Sequence, residues 1–384
     1  MEFGFSALDE AFRGEARAWL GPRVPYAGER RAWERALGAD GWIGIGWGEG
    51  GYGNRVASLT QQVVWAEEYV RSGAPGRSGH IGEKLLAPTL LAHGTAEQKE
   101  RFLPPIAAGA ELWCQGYSEP GAGSDLAGVR TRAERAADGS YRITGQKIWT
   151  SLAHEADWCF VLARTDQGSV RHHGLSFLLV PMGQPGRVDV RPIRQLTGTS
   201  DFNEVFFDGA RARAEHVVGA EGDGWRVAMS LLGFERGVST LAQQIGFAEE
   251  LGRVVRTAGE TGAADDPVVR EALVRLWAEL RTMRWNALRT LGGSAGPGAP
   301  SVAKLLWAGW HQRLGELAVR VRGAQGGVGP APWSPSAPYE LDETQQLFLF
   351  SRADTIYGGS DQVQRTIIAE RVLGLPRQPK GWGT

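Results

Sequence analysis

Along residues 1–112, apolar residues recur at helical spacing with polar interruptions. In SLTQQVVWAEEYVRSG, Leu59, Val63, Val64, Tyr69 and Val70 roughly follow a helical period until Gly73 and Pro75 stop it. In GTAEQKERFLPPIAAG, Thr95 precedes a Glu-bearing first turn, as an N-cap does. From about 113 the pattern changes to short strand-type runs: SYRITGQKIWT, DWCFVLART, LSFLLVPM, VDVRPI and DFNEVFFDG. Asp138-Gly139 lies between two of them as a hairpin turn, and Asp208-Gly209 closes another strand. After Gly224 helical periodicity returns, with Phe234, Val238, Leu241, Ile245, Ala248 and Leu251 on one stripe. Further helices are predicted at 266–291, 299–322 and 340–355, and a last one after Ser360, with the Gly- and Pro-rich stretch 323–338 as the one marked loop. The expected fold is α+β and multi-domain: an N-terminal helical domain (1–112), a middle antiparallel β domain (113–222) and a C-terminal helical bundle (223–384).

Composition narrows the functional classes. The 384 residues exceed what one core usually supports, which agrees with several packed units. The 42 Lys plus Arg nearly balance the 43 Asp plus Glu, and no basic run is present that would neutralise a row of phosphates, so nucleic acid is not an expected partner. Two cysteines, Cys114 and Cys159, are too few for a disulfide framework and form no metal-binding C-x-x-C, so a reducing cytoplasm and no metal are expected. No segment reads as a signal peptide or a membrane span. Fifteen tryptophans suggest large aromatic packing faces.

The candidate chemistry begins at WCQGYSEPGAGSDLAG, residues 113–128. Glycines there let the backbone approach a ligand closely, and the serines beside them supply hydroxyl and amide hydrogen bonds, so the stretch suits a phosphate-bearing cofactor. An ordinary loop is the alternative reading of the same residues. Helical domain, β domain and bundle in this order, together with LAPTLLAHGTAEQKERFLPPI, QGYSEPGAGSDLAG, GQKIWTS and IYGGSDQVQRTIIAERVLGLP, resemble the acyl-CoA dehydrogenase family over nearly the whole chain.

That resemblance implies FAD as cofactor and assigns residues to it. Tyr117 and Ser118 would face the reactive edge of the flavin, where fixed donors stabilise charge arriving with a hydride. Gly123 and Ser124 would lie toward the pyrophosphate. Trp149 and Ser151 match a Trp-x-Thr segment that covers the ring, although Leu152-Ala153-His154 replaces the frequent Asn-Gly, and His154 has no assigned role. Ser360 and Gln362 would contact the adenosine portion. Gln325 belongs to a compressed form of a loop that reaches the flavin of a neighbouring subunit. The Arg-x-x-Phe-Gly segment expected near 257–266 is replaced by TAGETGAADD, so the arrangement of subunits can depart from the familiar homotetramer.

The family's usual catalytic Glu is missing, because the I-Y-E-G-T segment reads Ile356-Tyr357-Gly358-Gly359-Ser360. The Gly358 amide remains available to hydrogen-bond a thioester carbonyl. By resemblance to branches with the base on the first long helix of the bundle, Glu235 in LLGFERG is the relocated base, about 100° around the helix from Phe234. It would need burial to lift its pKa toward working pH. The implied activity is α,β-dehydrogenation of a bulky, branched or long acyl-CoA or acyl-carrier thioester, with an electron-transferring flavoprotein as acceptor. The chain would act as a homodimer or tetramer, or with a paralogue. A non-catalytic partner subunit and a flavin monooxygenase on the same fold are the alternatives.

Overall fold

The computed structural model describes residues 5–48, 50–234, 238–291, 296, 298–330 and 339–377, the side chains of 238–242 and 291 excepted. The described residues cluster into two compact units, 1–195 with 200–239 and 196–199 with 240–384.

The first unit opens with helices α1 (Ala7–Leu20), α2 (Arg30–Ala39), α3 (Leu59–Arg71), α4 (Ala87–His93) and α5 (Ala96–Ala107). Three of them start at capping boxes, Ser6 with Asp9, Ser58 with Gln61 and Thr95 with Gln98, which satisfy amide donors that a helix start leaves open. Helix α3 faces α1 through Glu67 and Glu68, both buried and both paired with Arg13. Much of the tryptophan content is spent here: Trp19, Trp33, Trp42 and Trp65 form one aromatic cluster, with Trp42 and Trp65 stacked at 4.2 Å. The Trp33 indole N–H finds the Tyr69 hydroxyl at 2.7 Å, so burial leaves no orphan there.

The strands are β1 (Trp113–Gly116), β2 (Arg132–Arg135), β3 (Tyr141–Ser151), β4 (Trp158–Arg164), β5 (Leu175–Pro181), β6 (Val188–Ile193), β7 (Phe202–Ala212) and β8 (Val217–Val218). They form one eight-stranded sheet in the order β6-β7-β3-β2-β4-β5-β8, with β1 on β4. The expectation of a purely antiparallel sheet needs correcting, because β1 and β2 each run parallel to β4. The short β1, β2 and β8 carry no alternating pattern of their own. A second correction concerns Asp208-Gly209, which does not end its strand: β7 continues to Ala212. Gly209, at φ +64°, is the extra residue where Thr144 pairs with Asp208 and Ile143 with Ala210, a bulge that glycine accepts.

Helix α6 (Gly224–Phe234) completes this unit. Gly224 lies so close to the Ser176 main chain that a Cβ would sit 2.4 Å from its carbonyl carbon. One core joins Leu86, Leu90, Phe102 and Ile106 to Phe160, Phe177 and Leu179 of the sheet and Val227 and Leu231 of α6. That shared burial gives helices and sheet one contiguous core.

The second unit holds most of α7 (Val238–Glu260), then α8 (Pro267–Leu291), α9 (Ala299–Arg320), α10 (Glu343–Phe350) and α11 (Asp361–Ile367). Its core is Phe247, Leu251, Val254 and Ala258 against Leu273, Leu276, Leu280, Trp307, Trp310 and Leu314. Of the predicted stripe, Ile245 and Leu251 are buried on α7, Ala248 is exposed with Phe247 buried beside it, Phe234 at the end of α6 is exposed, and the side chains of Val238 and Leu241 lie outside the described residues. The helix expected over 340–355 ends at Phe350 and passes into a 3-10 turn at Ser351–Ala353, where the Ser351 hydroxyl donates back to the Phe348 carbonyl. Of the predicted 323–338 loop, Gly323–Gly327 forms a short 3-10 turn and 331–338 lie outside the described residues.

Candidate functional site

In the first unit the loop after β1 is pinned from beneath by one buried ion pair. Lys147, on β3 and fully buried, donates to Glu119 Oε1 at 2.9 Å, to the Tyr117 carbonyl at 3.0 Å and to the Leu162 carbonyl at 2.8 Å. Its three donors are thereby all used. Glu119 also accepts the Arg130 and Thr131 amides at 2.7 and 2.8 Å, so the carboxylate holds both ends of the loop. Burial pushes the Glu119 pKa up, but the Lys147 ammonium and the donors around it outweigh burial and hold it below the usual carboxylate range. Burial pulls the Lys147 pKa down, and Glu119 offsets only part of that. Further along, Arg164 donates to the Ala127 and Val129 carbonyls at 3.4 and 3.3 Å.

This frame leaves a row of donors unclaimed. The Glu119 and Ala122 main chains bond each other reciprocally, at 3.1 and 3.0 Å, which closes a tight turn. Among the described residues the Ser118 hydroxyl and the amides of Ser118, Gly123 and Ser124 have no protein partner. A Cβ placed on Gly121 or Gly123 would meet nothing within 4 Å, so packing does not demand glycine there, whereas a ligand lying on the main chain would. An unpaired, glycine-rich amide run of this kind is chemically suited to a pyrophosphate.

Beside it stands Trp149. The Ile148 amide donates to the Ser118 carbonyl at 2.9 Å, which ties β3 to the loop. At that point the β3–β7 register shifts between Lys147 and Thr150, and Trp149 takes φ +60°. A bulky residue in the left-handed region is strained, and the strain here turns an indole outward: Trp149 is 57% exposed, touching Phe202 edge-on at 6.3 Å. Ser151, half-buried, follows on the same strand, and the buried Thr150 hydroxyl has no partner among the described residues. These residues fit an isoalloxazine-sized planar group: a hydroxyl and amides at one edge, an exposed indole over a face, and open main chain beyond. His154 Nδ1 bonds Asn203 Oδ1 at 3.1 Å, and Asn203 Nδ2 donates to the Thr150 carbonyl at 3.0 Å, so His154 supports the end of β3.

The remaining candidates lie in the second unit. Gly358 and Gly359 take φ +63° and +83°, and the Gly358 amide donates to no protein acceptor among the described residues. Gln364 Nε2 reaches the Gly358 and Gly359 carbonyls at 3.3 and 3.2 Å from beneath. Ser360 is the N-cap of α11, accepting the Val363 amide at 3.4 Å, and Gln362 is exposed on its first turn. Gln325 is exposed in the 3-10 turn. Glu235 lies outside the described residues. Sequence reasoning thus missed Glu119, Lys147 and Arg164 as loop anchors, although the first two stand inside the motifs that drew attention.

Three family descriptions match the chain in order: acyl-CoA dehydrogenase N-terminal domain over 6–110, middle domain over 114–210 and C-terminal domain over 222–373. The chain belongs to the acyl-CoA dehydrogenase family and is an oxidoreductase of that class. It is 56% identical to acyl-CoA dehydrogenase IpdE1 of Mycobacterium tuberculosis, covering 97% of this chain and 99% of that one. Identity to IpdE1 of Mycolicibacterium smegmatis is 53%, with the same two coverages. Among solved structures, the Tcur3481-Tcur3483 steroid ACAD is similar at TM-score 0.85 and 30% identity, over 98% of this chain and all of that one. The ChsE4-ChsE5 complex from Mycobacterium tuberculosis is similar at TM-score 0.81 and 28% identity, again over 98% of this chain and all of that one. Among the described residues no helix is long and apolar enough to cross a membrane.

Proposed function

We propose that the chain is an FAD-dependent dehydrogenase of a bulky, steroid-derived acyl-CoA, forming the trans-2-enoyl thioester. The reading rests above all on the Lys147–Glu119 pair, which fixes the unclaimed donors of Ser118, Gly123 and Ser124 beside the outward indole of Trp149. Bound FAD would supply the hydride acceptor for the β-hydrogen. Tyr117, Ser118, Trp149 and Ser151 would hold its ring, Gly123 and Ser124 its pyrophosphate, and Ser360 and Gln362 its adenosine portion, while Gln325 would reach the flavin of a neighbouring subunit. The Gly358 amide donates to the thioester oxygen and stabilises the charge that builds there as the α-proton leaves. Glu235 takes that proton, because Gly358 offers no side chain where the family's usual carboxylate stands.

The bulky substrate is supported by the likeness to a structure named a steroid ACAD, and by glycine at 358, where the family's usual glutamate side chain would take up space. Both similar structures are named for two gene products, which supports a paralogous partner subunit in place of a homotetramer. An electron-transferring flavoprotein is the proposed acceptor. The test is the visible spectrum of the chain, purified alone and with a paralogue, before and after anaerobic addition of straight-chain and steroid-derived acyl-CoAs. Bleaching of a bound flavin by a steroid-derived thioester supports the reading. Glu235→Gln should keep the flavin and slow its reduction by about a thousandfold, within the usual range for a lost general base. Unchanged reduction removes Glu235 from the mechanism.

A further inference from the structure

The second unit buries an ionic chain that ends at the Gly358 segment. His311, on α9 and 7% exposed, sits between two carboxylates: its Nε2 is 2.9 Å from Glu250 Oε2 on α7, and its Nδ1 is 2.5 Å from Asp354 Oδ2. Asp354, fully buried, accepts the Tyr357 hydroxyl on its other oxygen at 2.6 Å. Its main-chain carbonyl accepts from Lys304, whose ammonium lies 4.0 Å from the Trp307 ring centroid and 4.7 Å from that of Tyr357. Glu250 and Asp354 balance His311 and Lys304 only when the imidazole is protonated. Burial alone would lower the His311 pKa, but Asp354 and Glu250 together raise it to about 9. Phe247 and Trp310 flank the imidazole, and among the described residues no other titratable side chain makes a hydrogen bond or ion pair with it.

Filling this part of the core did not require ions, since apolar residues of similar volume usually serve stability as well or better. What the network adds is direction. Gly358 and Gly359 both occupy left-handed backbone, where glycine is permissive and supplies no rigidity of its own. An amide that must meet a developing negative charge has to be held in place before the reaction. The Gly358 segment is held on one side by Tyr357, through Asp354 and His311 to Glu250, and on the other by Gln364 on both glycine carbonyls.

We propose that His311 and Tyr357 are positioning residues: the Glu250–His311–Asp354–Tyr357 chain fixes the Gly358 amide in the orientation that receives the thioester carbonyl. The inference rests on the role proposed above for Gly358. Its consequence is that residues buried inside the bundle set turnover without touching substrate.

The test compares Tyr357→Phe with His311→Gln in the full chain, loaded with FAD and joined by a paralogous subunit where one is needed. Tyr357→Phe deletes one hydroxyl and leaves the imidazole between its two carboxylates, so it separates positioning from folding. Hydrogen exchange of the 354–360 peptide should quicken about tenfold in both variants while α8 is unchanged, the behaviour of a local opening. With the steroid-derived acyl-CoA that bleaches the wild-type flavin, kcat should fall about tenfold and KM less than about twofold, the mark of an interaction realised in the transition state. Unchanged exchange at 354–360 in Tyr357→Phe overturns the proposal, as does faster exchange with an unaltered kcat. If no acyl-CoA bleaches the wild-type flavin, the functional reading fails by itself, and the exchange experiment still decides whether the chain orders the segment.

Discussion

Replacing Lys147 by Met keeps the length of the side chain and removes the cation. Three acceptors then lose a donor: the Tyr117 and Leu162 carbonyls and Glu119 Oε1. Glu119 would remain ionised and largely buried, with only the Arg130 and Thr131 amides to compensate it. Breaking a buried pair from one side costs about 3–5 kcal/mol. At about 2–4 °C per kcal/mol for a unit of this size class, the melting temperature should fall by roughly 6–20 °C. The cost falls on the loop that carries Ser118, Gly123 and Ser124, so flavin retention through gel filtration should fall as well. The double variant Lys147→Met, Glu119→Gln removes both charges, and it should recover at least about 1 kcal/mol of the loss, since neighbouring sites are not additive. Differential scanning fluorimetry and flavin-to-protein absorbance ratios read both quantities. A single variant that melts within about 2 °C of wild type with full flavin would refute the argument that this pair holds the site together.

Trp149→Ala should change the melting temperature of flavin-free protein by less than about 2 °C, because the indole is 57% exposed, yet weaken flavin binding, measured by quenching of flavin fluorescence on titration. The His311 pKa is raised in the folded state to about 9 from an ordinary 6.5, so its stabilisation is complete below about pH 6.5 and is lost as pH rises through 9. It follows that wild type should lose about 2.5 kcal/mol between pH 7 and 10 from this group alone, and that His311→Gln should show a flatter melting profile over that range. Cys114 and Cys159 are register partners across β1 and β4, both free and buried, and burial pushes the Cys114 thiol well above its ordinary value. A chromogenic disulfide reagent should therefore find almost no thiol in the native protein and both in guanidinium.

What could be read from the sequence depended on whether a residue's signal was local. Thr95, the hairpin at Asp138-Gly139 and the strand runs at 141–151 and 175–181 each carry their cause within a few residues, and the structure forms them where expected. Resemblance to the family's Trp-x-Thr segment could propose Trp149 as a ring cover, but not the device that presents it, because a bulge against β7 depends on pairing with residues some fifty positions away. Lys147 illustrates the same limit in charge. On an alternating strand a lysine reads as a solvated position, and only the parallel contacts of β1 and β4 beneath β3 bring the Tyr117 and Leu162 carbonyls and Glu119 around its ammonium. His311, Asp354 and Glu250 come from three separate elements, with sequence separations of 43 and 61, so no window could join them. The groups visible in the motifs are those expected to touch a ligand, and the groups that hold them in place were hidden. A motif preserves the chemistry of contact, whereas buried charge is intelligible only once folding has supplied its partner.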